Sequence, residues 1–467
     1  MSQGTSLSVN GQSLETVRKL QESTFSSGKT QSLAFRLEKL DILLKILQDN
    51  EKAILAALHK DLRKPEFEAH FGDIGLIRDE IVYTKKKLRS WMKRRRVPTP
   101  MASWPASSFV EPCPLGQVLI IGPWNYPLQL VLIPLVGAIA AGNTVVVKPS
   151  ELAPETSGLL GRLLGAAYEE SYLAAFEGGV PVSEELLSIA WDHIFFTGST
   201  PVGKIVARKA AEHLSPVTLE LGGKSPAFVT AKANVDIAAK RIVFGKFFNV
   251  GQTCVATDYI LVEESVKEQL LEAIERHLLN FFGSNPKESE HLARVINVKN
   301  HKRLMSLIDD EKVFLGGQSD EADRYLAPTI MQDVQWDDKV MQDEIFGPIL
   351  PVLSYSNIDE AIAKVNKRDK PLALYIFSDS KAEQNLIMKS IRYGGGCIND
   401  TTVHVASHFL PFGGVGMSGQ GAYHGKYSFE RFSHLRGVMK NPSFFDAPVR
   451  YPPYKSWKLK TLKLLVG

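Results

Sequence analysis

Between Gln117 and Glu220 short apolar stretches alternate with longer amphipathic ones, and this alternation limits what the chain can fold into more than any other feature. The spacing predicts strands at Val118–Ile121, Thr144–Lys148, Ala174–Glu177, His193–Thr197 and Val217–Glu220. Helices are expected at Pro127–Ala141, Glu155–Tyr168, from Ser183 onward, and at Pro201–His213. Strands fully apolar along their length and joined through helices form βαβ units, which means an α/β fold with a parallel sheet covered on both faces. Ligands of such sheets bind beyond the carboxyl ends of the strands, where the strand order reverses, so the informative loops are those that follow strands.

At 467 residues the chain is too long for one ordinary core, and two or three domains are expected. Upstream of the alternating region, Leu14 to Met92 reads as helical throughout, with Leu37, Leu40, Leu43, Leu44 and Leu47 at three- and four-residue spacing. A net charge of +4 over this length is too weak to argue for nucleic acid. The run Lys93-Arg94-Arg95-Arg96 is read as a solvated helix C-terminus rather than a binding patch. The apolar run Leu128–Ala141 is too short to span a bilayer and is read as a buried helix. Cys113, Cys254 and Cys397 stand at wide spacing, which fits neither a disulfide framework nor a metal site and favours a reducing compartment. The first residues carry no basic and apolar signal pattern, and the expectation is a cytoplasmic enzyme.

Three post-strand loops carry chemistry. Gly198-Ser199-Thr200-Pro201-Val202-Gly203 would turn tightly at Gly198, start a helix at Pro201 and pack closely at Gly203, leaving N–H groups to face a pyrophosphate. Thr200 replaces the middle glycine of the dinucleotide fingerprint, and a bare βα turn explains the same residues. Lys148 and Glu151 would hold the hydroxyls of an adenosine ribose, or Ser150 and Glu151 would merely cap the next helix. Asn125 is a candidate oxyanion donor, or a cap for the helix beginning at Pro127.

A thiol and a carboxylate complete the set. Cys254 follows the polar, turn-prone Gly251-Gln252-Thr253, and Glu220 closes the last strand of the series. A thiol attacks a carbonyl and a carboxylate readies a water, which together make and then hydrolyse a thioester. A buried, inert cysteine is the alternative for Cys254. Cys113 and Cys397 show no supporting carboxylate or histidine in the sequence.

Read together, Pro123-Trp124-Asn125-Tyr126-Pro127, Lys148-Pro149-Ser150-Glu151, Phe196-Thr197-Gly198-Ser199, the stretch Leu219-Glu220-Leu221-Gly222-Gly223-Lys224-Ser225-Pro226, Gly251-Gln252-Thr253-Cys254 and Glu344-Ile345-Phe346-Gly347-Pro348 resemble the aldehyde dehydrogenase superfamily over nearly the whole chain. Asn399-Asp400-Thr401, Leu410 to Gly416, Tyr423-His424-Gly425-Lys426 and Phe432-Ser433-His434 look like its class 3, which includes fatty aldehyde dehydrogenases. Thr257 departs from the pattern, since relatives usually carry Pro there.

The resemblance implies a Rossmann-type cofactor domain over residues 1–220 with a return segment at 392–434, a catalytic domain over 221–391, and a tail at 446–467. It implies a homodimer, with β-strand arms near 98–115 and 435–445 pairing across subunits. Cys254 would be the nucleophile, Asn125 the oxyanion donor and Glu220 the base, with Glu344 able to share the base role. Lys148, Glu151, Gly198, Ser199, Gly203, Leu221, Glu344 and Phe346 would bind the cofactor, NAD by expectation and NADP as the alternative; no metal is implied. The substrate would be a small-molecule aldehyde, medium- or long-chain or otherwise apolar. The Lys-rich tail from Lys455 is read either as peripheral membrane contact or as a cover for the substrate funnel. An acylating enzyme that passes the acyl group to coenzyme A is a competing reading that Glu220 opposes, and an inactive binding protein is a second.

Overall fold

The computed structural model describes residues 8–9 and 12–466. Its first sheet has six strands in the order Gly419–Gln420, Val217–Leu221, His193–Gly198, Gln117–Ile121, Thr144–Lys148, Leu173–Ala175. The five strands of the alternating region are parallel, and Gly419–Gln420 adds an antiparallel edge. Each expected strand is present to within two residues, because these runs are apolar on both faces and have no alternative but a covered sheet. The order reverses at Gln117–Ile121, which has Thr144–Lys148 on one side and His193–Gly198 on the other. The switch point therefore lies beyond Ile121 and Gly198. The helix Gln129–Ala141 is buried at every position, as its unbroken apolar sequence requires.

A second sheet of seven strands follows the order Val313–Leu315, Thr329–Met331, Ile349–Tyr355, Tyr259–Glu263, Pro226–Val229, Ala373–Phe377, Gly395–Ile398. All neighbours are parallel except Val313–Leu315 against Thr329–Met331. Gly395–Ile398 belongs here rather than to the return segment expected from residue 392, and only Gly419–Gln420 returns to the first sheet.

The region from Leu14 to Met92 is helical in pieces, Leu14–Ser26, Leu33–Asp49, Glu51–Leu62 and Leu76–Trp91, with a π-helical turn at His70–Gly75. Left-handed Gly28 and the Ser32 side chain, which accepts from the Phe35 N–H, divide the first two helices. The basic run does not end a helix: Arg95–Val97 is a strand antiparallel to Ser107–Pro114, which pairs in turn with Ser433–Lys440. Glu111 anchors the arm by ion pairs to Arg94 at 2.9 Å and Arg436 at 2.7 Å. The two segments expected to meet across subunits thus pair with each other within one chain. The tail forms the exposed helix Ser456–Val466. Among the described residues no helix is long and apolar enough to cross a membrane.

Candidate active site

Cys254 stands where two cavities meet. One is a polar cleft of about 770 Å³ beyond the switch point of the first sheet, walled by Asn125, Gly198, Ser199, Glu220, Leu221, Glu344 and Phe346 among others. The other is a narrow cavity of about 80 Å³, walled by Phe71, Leu76, Tyr126, Phe244, Phe248, Phe412, Tyr423 and His424 among others. Cys254 borders both. Of the ten residues expected to act with Cys254, the fold brings seven to this cleft, Asn125, Gly198, Ser199, Glu220, Leu221, Glu344 and Phe346, and leaves Lys148, Glu151 and Gly203 outside its lining.

The sulfur is presented by an unusual loop. The helix Val235–Phe247 ends and the chain passes through three consecutive left-handed residues, Asn249 (φ 51°), Val250 (φ 55°) and Gly251 (φ 74°). Such backbone is costly for Asn and especially for β-branched Val, and persists only where tertiary bonds over-determine it. Those bonds are present. The Asn249 N–H donates to Glu68 Oε2 at 2.9 Å, and Asn249 Nδ2 donates to the Asn125 carbonyl at 3.0 Å. Gln252 Nε2 donates to the Arg294 carbonyl at 3.0 Å and Gln252 Oε1 accepts from the Ile296 N–H at 2.9 Å. A Cβ at Gly251 would lie 2.3 Å from the Gly347 carbonyl oxygen, so only glycine fits. Behind the loop, Lys64 and Asp73 form a fully buried ion pair at 2.8 Å.

Asn125 does not cap a helix: the helix starts at Gln129 with Leu128 before it. Its Nδ2 donates to the Gln252 carbonyl at 3.0 Å, which holds the amide beside the cysteine loop. Ser150 and Glu151 do not cap the helix Pro154–Ala167 either. Asp61, from a helix far away in sequence, does so by accepting from the N–H groups of Glu155 at 3.1 Å and Thr156 at 2.8 Å. Lys148 is buried and pairs with Glu151 at 2.7 Å, but neither lines the Cys254 cleft. Gly203 is likewise set back. Its N–H is taken by the Ser199 carbonyl at 2.9 Å, and a Cβ there would meet Leu221 at 2.5 Å, so it serves close helix–strand packing. At the helix start itself, Ser199 makes no side-chain cap, and Gly198 to Pro201 line the cleft with the first-turn N–H groups.

Electrostatics around the sulfur are set by burial. Burial, then Glu344 and Glu220, push the Cys254 thiol above its ordinary range, while its own N–H and that of Val255 favour the thiolate. Burial raises Glu220 well above the usual carboxylate range, with Arg431 opposing. Both Glu220 oxygens are buried and have no hydrogen-bond partner among the described residues. Glu344 is pushed up to about 8, chiefly by burial and then by Asp258. It packs onto Gly222, where a Cβ would lie 1.9 Å from its Oε2. Lys224, which the sequence left without a role, ties the Glu344 loop down: its Nζ pairs with Asp258 at 2.5 Å and donates to the carbonyls of Val340 at 3.0 Å and Asp343 at 2.9 Å. Thr257 is fully buried, its hydroxyl without a partner among the described residues. Cys397 does have a histidine neighbour, His404 Nδ1 at 3.5 Å, which its sequence context did not show. Among the described residues no group of three or more His, Cys, Asp or Glu could hold a metal ion.

The residues present fit a nicotinamide dinucleotide. The cleft is large enough, and a helix start without a side-chain cap lines it at Gly198 to Pro201. A doubly wound sheet with such a cleft beyond its switch point places the protein in the α/β class whose ligands bind at that crevice. The model of the aldehyde dehydrogenase family matches residues 10–438, and the chain belongs to that family. It is 46% identical over 441 residues to the 4,4'-diaponeurosporen-aldehyde dehydrogenase of Staphylococcus aureus, covering 94% of this chain and 96% of that one. It is 45% identical over 450 residues to human aldehyde dehydrogenase family 3 member B1, covering 96% of each. A substrate-bound structure of Staphylococcus aureus AldH superposes with a TM-score of 0.96 at 44% identity, covering 98% of this chain and 100% of that one. The protein is accordingly an aldehyde dehydrogenase, an oxidoreductase of a family that works with NAD or NADP.

Proposed function

We propose that the enzyme oxidises medium- or long-chain aliphatic or other apolar aldehydes to carboxylic acids, with Cys254 as nucleophile, Asn125 as oxyanion donor and Glu220 as base. The observation that carries this reading is the position of Cys254 on the border of a polar cleft and an aromatic-walled cavity. An aldehyde entering from the apolar side meets the sulfur with its chain buried among Phe71, Phe244, Phe248 and Phe412. Attack gives a thiohemiacetal whose oxyanion is held by the Cys254 N–H and the Asn125 amide. Bound in the cleft, the cofactor supplies the hydride acceptor that turns this adduct into a thioester. Gly198, Ser199, Leu221, Glu344 and Phe346 hold it there, and the Lys148–Glu151 pair, set further back, holds the adenosine ribose. Glu220 then takes a proton from water, the water adds to the thioester, and the acid leaves.

NAD is the proposed cofactor, because the negative Glu151 disfavours a 2′-phosphate. A homodimer is proposed through the arm, whose Leu435 and Met439 are exposed. The tail helix exposes Trp457, Leu459, Leu462 and Leu464 between lysines, which supports peripheral contact with a membrane surface. The test is a chain-length series of aldehydes with NAD and with NADP, scored by kcat/KM without coenzyme A. Efficiency rising with chain length supports the reading. A preference for short polar aldehydes, or strict dependence on coenzyme A, refutes it.

A further inference from the structure

We infer that Tyr423 positions the water that releases the acyl group from Cys254; this deepens the reading above and rests on Glu220 being the base. Tyr423 is completely buried, and its hydroxyl has no hydrogen-bond partner among the described residues. Both oxygens of Glu220 share that condition. A buried hydroxyl left unpaired is costly, and a native structure that keeps one has a use for it. Tyr423 borders the apolar cavity and Glu220 the polar cleft, and Cys254 borders both, so the two residues lie on either side of the cysteine.

The backbone explains why they lie close together. Gly419 pairs with Glu220 across the edge of the first sheet, and the Leu221 N–H donates to the Ser418 carbonyl at 3.1 Å. Four residues on, Tyr423 exchanges backbone hydrogen bonds with Phe412 at 3.1 and 2.9 Å. Its ring packs edge-on against Phe195 at 5.0 Å, on the strand next to that of Glu220. The next residue, His424, is left-handed (φ 78°) and is followed by Gly425, whose N–H donates to the buried Glu80 at 2.7 Å. A tyrosine fixed at its backbone and its ring, with only its hydroxyl uncommitted, is a positioning device.

The chemistry balances without an oxidant or a further reactant. Burial, with Glu220 and Cys254 nearby, keeps the Tyr423 phenol protonated, so it donates to the water oxygen. One water O–H bond breaks as its proton passes to the Glu220 carboxylate, and a C–O bond forms to the thioester carbon. The C–S bond then breaks, and the proton on Glu220 returns to the sulfur. Thioester plus water gives acid plus thiol, and the phenol keeps its proton throughout.

Tyr423→Phe removes the hydroxyl and keeps the ring, so packing is retained. With octanal and NAD, the variant is expected to form about one equivalent of NADH per subunit in a burst. Its later turnover should fall about 100-fold, as misplacement of a reacting group would predict. KM for octanal should fall in parallel, leaving kcat/KM unchanged, and acid-quenched samples should show acylated Cys254 by mass spectrometry. Wild-type turnover, or a fall in kcat/KM without acyl-enzyme, overturns the inference. Glu220→Gln separates the two levels. If it accumulates acyl-enzyme while Tyr423→Phe behaves as wild type, only the role of Tyr423 fails. If Glu220→Gln turns over at the wild-type rate, the Glu220 reading fails and takes the role of Tyr423 with it.

Discussion

The two cavities that meet at Cys254 are built from opposite materials. In the larger cleft, proposed for the cofactor, the wall is backbone and charge: Gly198, Gly222 and Gly223, a helix start, Glu344, Lys204 and Arg303. In the other, proposed for the aldehyde, it is aromatic and aliphatic side chain, with Phe71, Phe244, Phe248 and Phe412 prominent. A dinucleotide has fixed hydrogen-bonding edges, and recognising it demands particular residues at particular turns. An apolar chain demands only volume and dryness, which many side chains supply. One side is therefore constrained residue by residue, and the other only in sum.

Four substitutions sharpen or break that contrast, and the first removes the meeting point itself. Cys254→Ala is expected to lower oxidation by about 10⁴-fold or more while NAD binding, followed by quenching of protein fluorescence, stays within a few-fold. Full turnover in that variant would end the nucleophile assignment. Next, Phe248→Ala should cut kcat/KM for octanal by about 10- to 100-fold, the worth of one buried aromatic contact, and leave KM for NAD alone. Lys148→Ala should do the reverse, raising KM for NAD about 10-fold with KM for octanal unchanged, as loss of a charged hydrogen bond would. If either variant moved both constants equally, the two sides would not be separable.

The smallest effect on activity is expected at Glu80, which buttresses the aldehyde side through the Gly425 N–H. Burial pushes its carboxyl up to about 7 in the folded protein, against an ordinary 4.5. Since the folded pKa is raised, the stability of the neutral form is fully present below pH 4.5 and is lost as pH rises through about 7. Glu80→Gln cannot ionise and keeps the acceptor. Its melting temperature relative to wild type should therefore rise between pH 4 and pH 8, by the equivalent of about 1–3 kcal/mol. A difference independent of pH would mean that Glu80 is not buried as described.

The same contrast decides what could be read from sequence. The five parallel strands and the loops after them were legible because both-face burial and post-strand glycines leave marks in short windows, as at Val118–Ile121 and Gly198. Cys254, Glu220, Asn125 and Glu344 sit in compact motifs for the same reason, and they meet in one cleft. The aldehyde cavity was not legible. Its walls come from residues 71–76, 126–130, 244–255, 402–406 and 412–424, where each side chain looks like ordinary core. Nor was the buttressing: Glu68, Asp61 and the Lys64–Asp73 pair act across long sequence separations, as when Asp61 caps a helix starting at Pro154. The basic run at Lys93–Arg96 misled because its charges suggested a helix end, whereas cross-strand Glu111 decides its conformation.

The loop bearing Cys254 donates hydrogen bonds to Glu68, Asn125 and Arg294 and accepts one from the Ile296 N–H, so it is held from several distant parts of the chain. Around it the Arg294 N–H donates to the Leu62 carbonyl at 2.8 Å, and Arg63 pairs with Asp323 at 3.1 Å. A seam fastened in this way resists gaping like a hinge, because opening it would dislodge the sulfur. On the proposed function each reactant then has a standing doorway of its own, and the acid would leave by the apolar one while the spent cofactor still occupied the other.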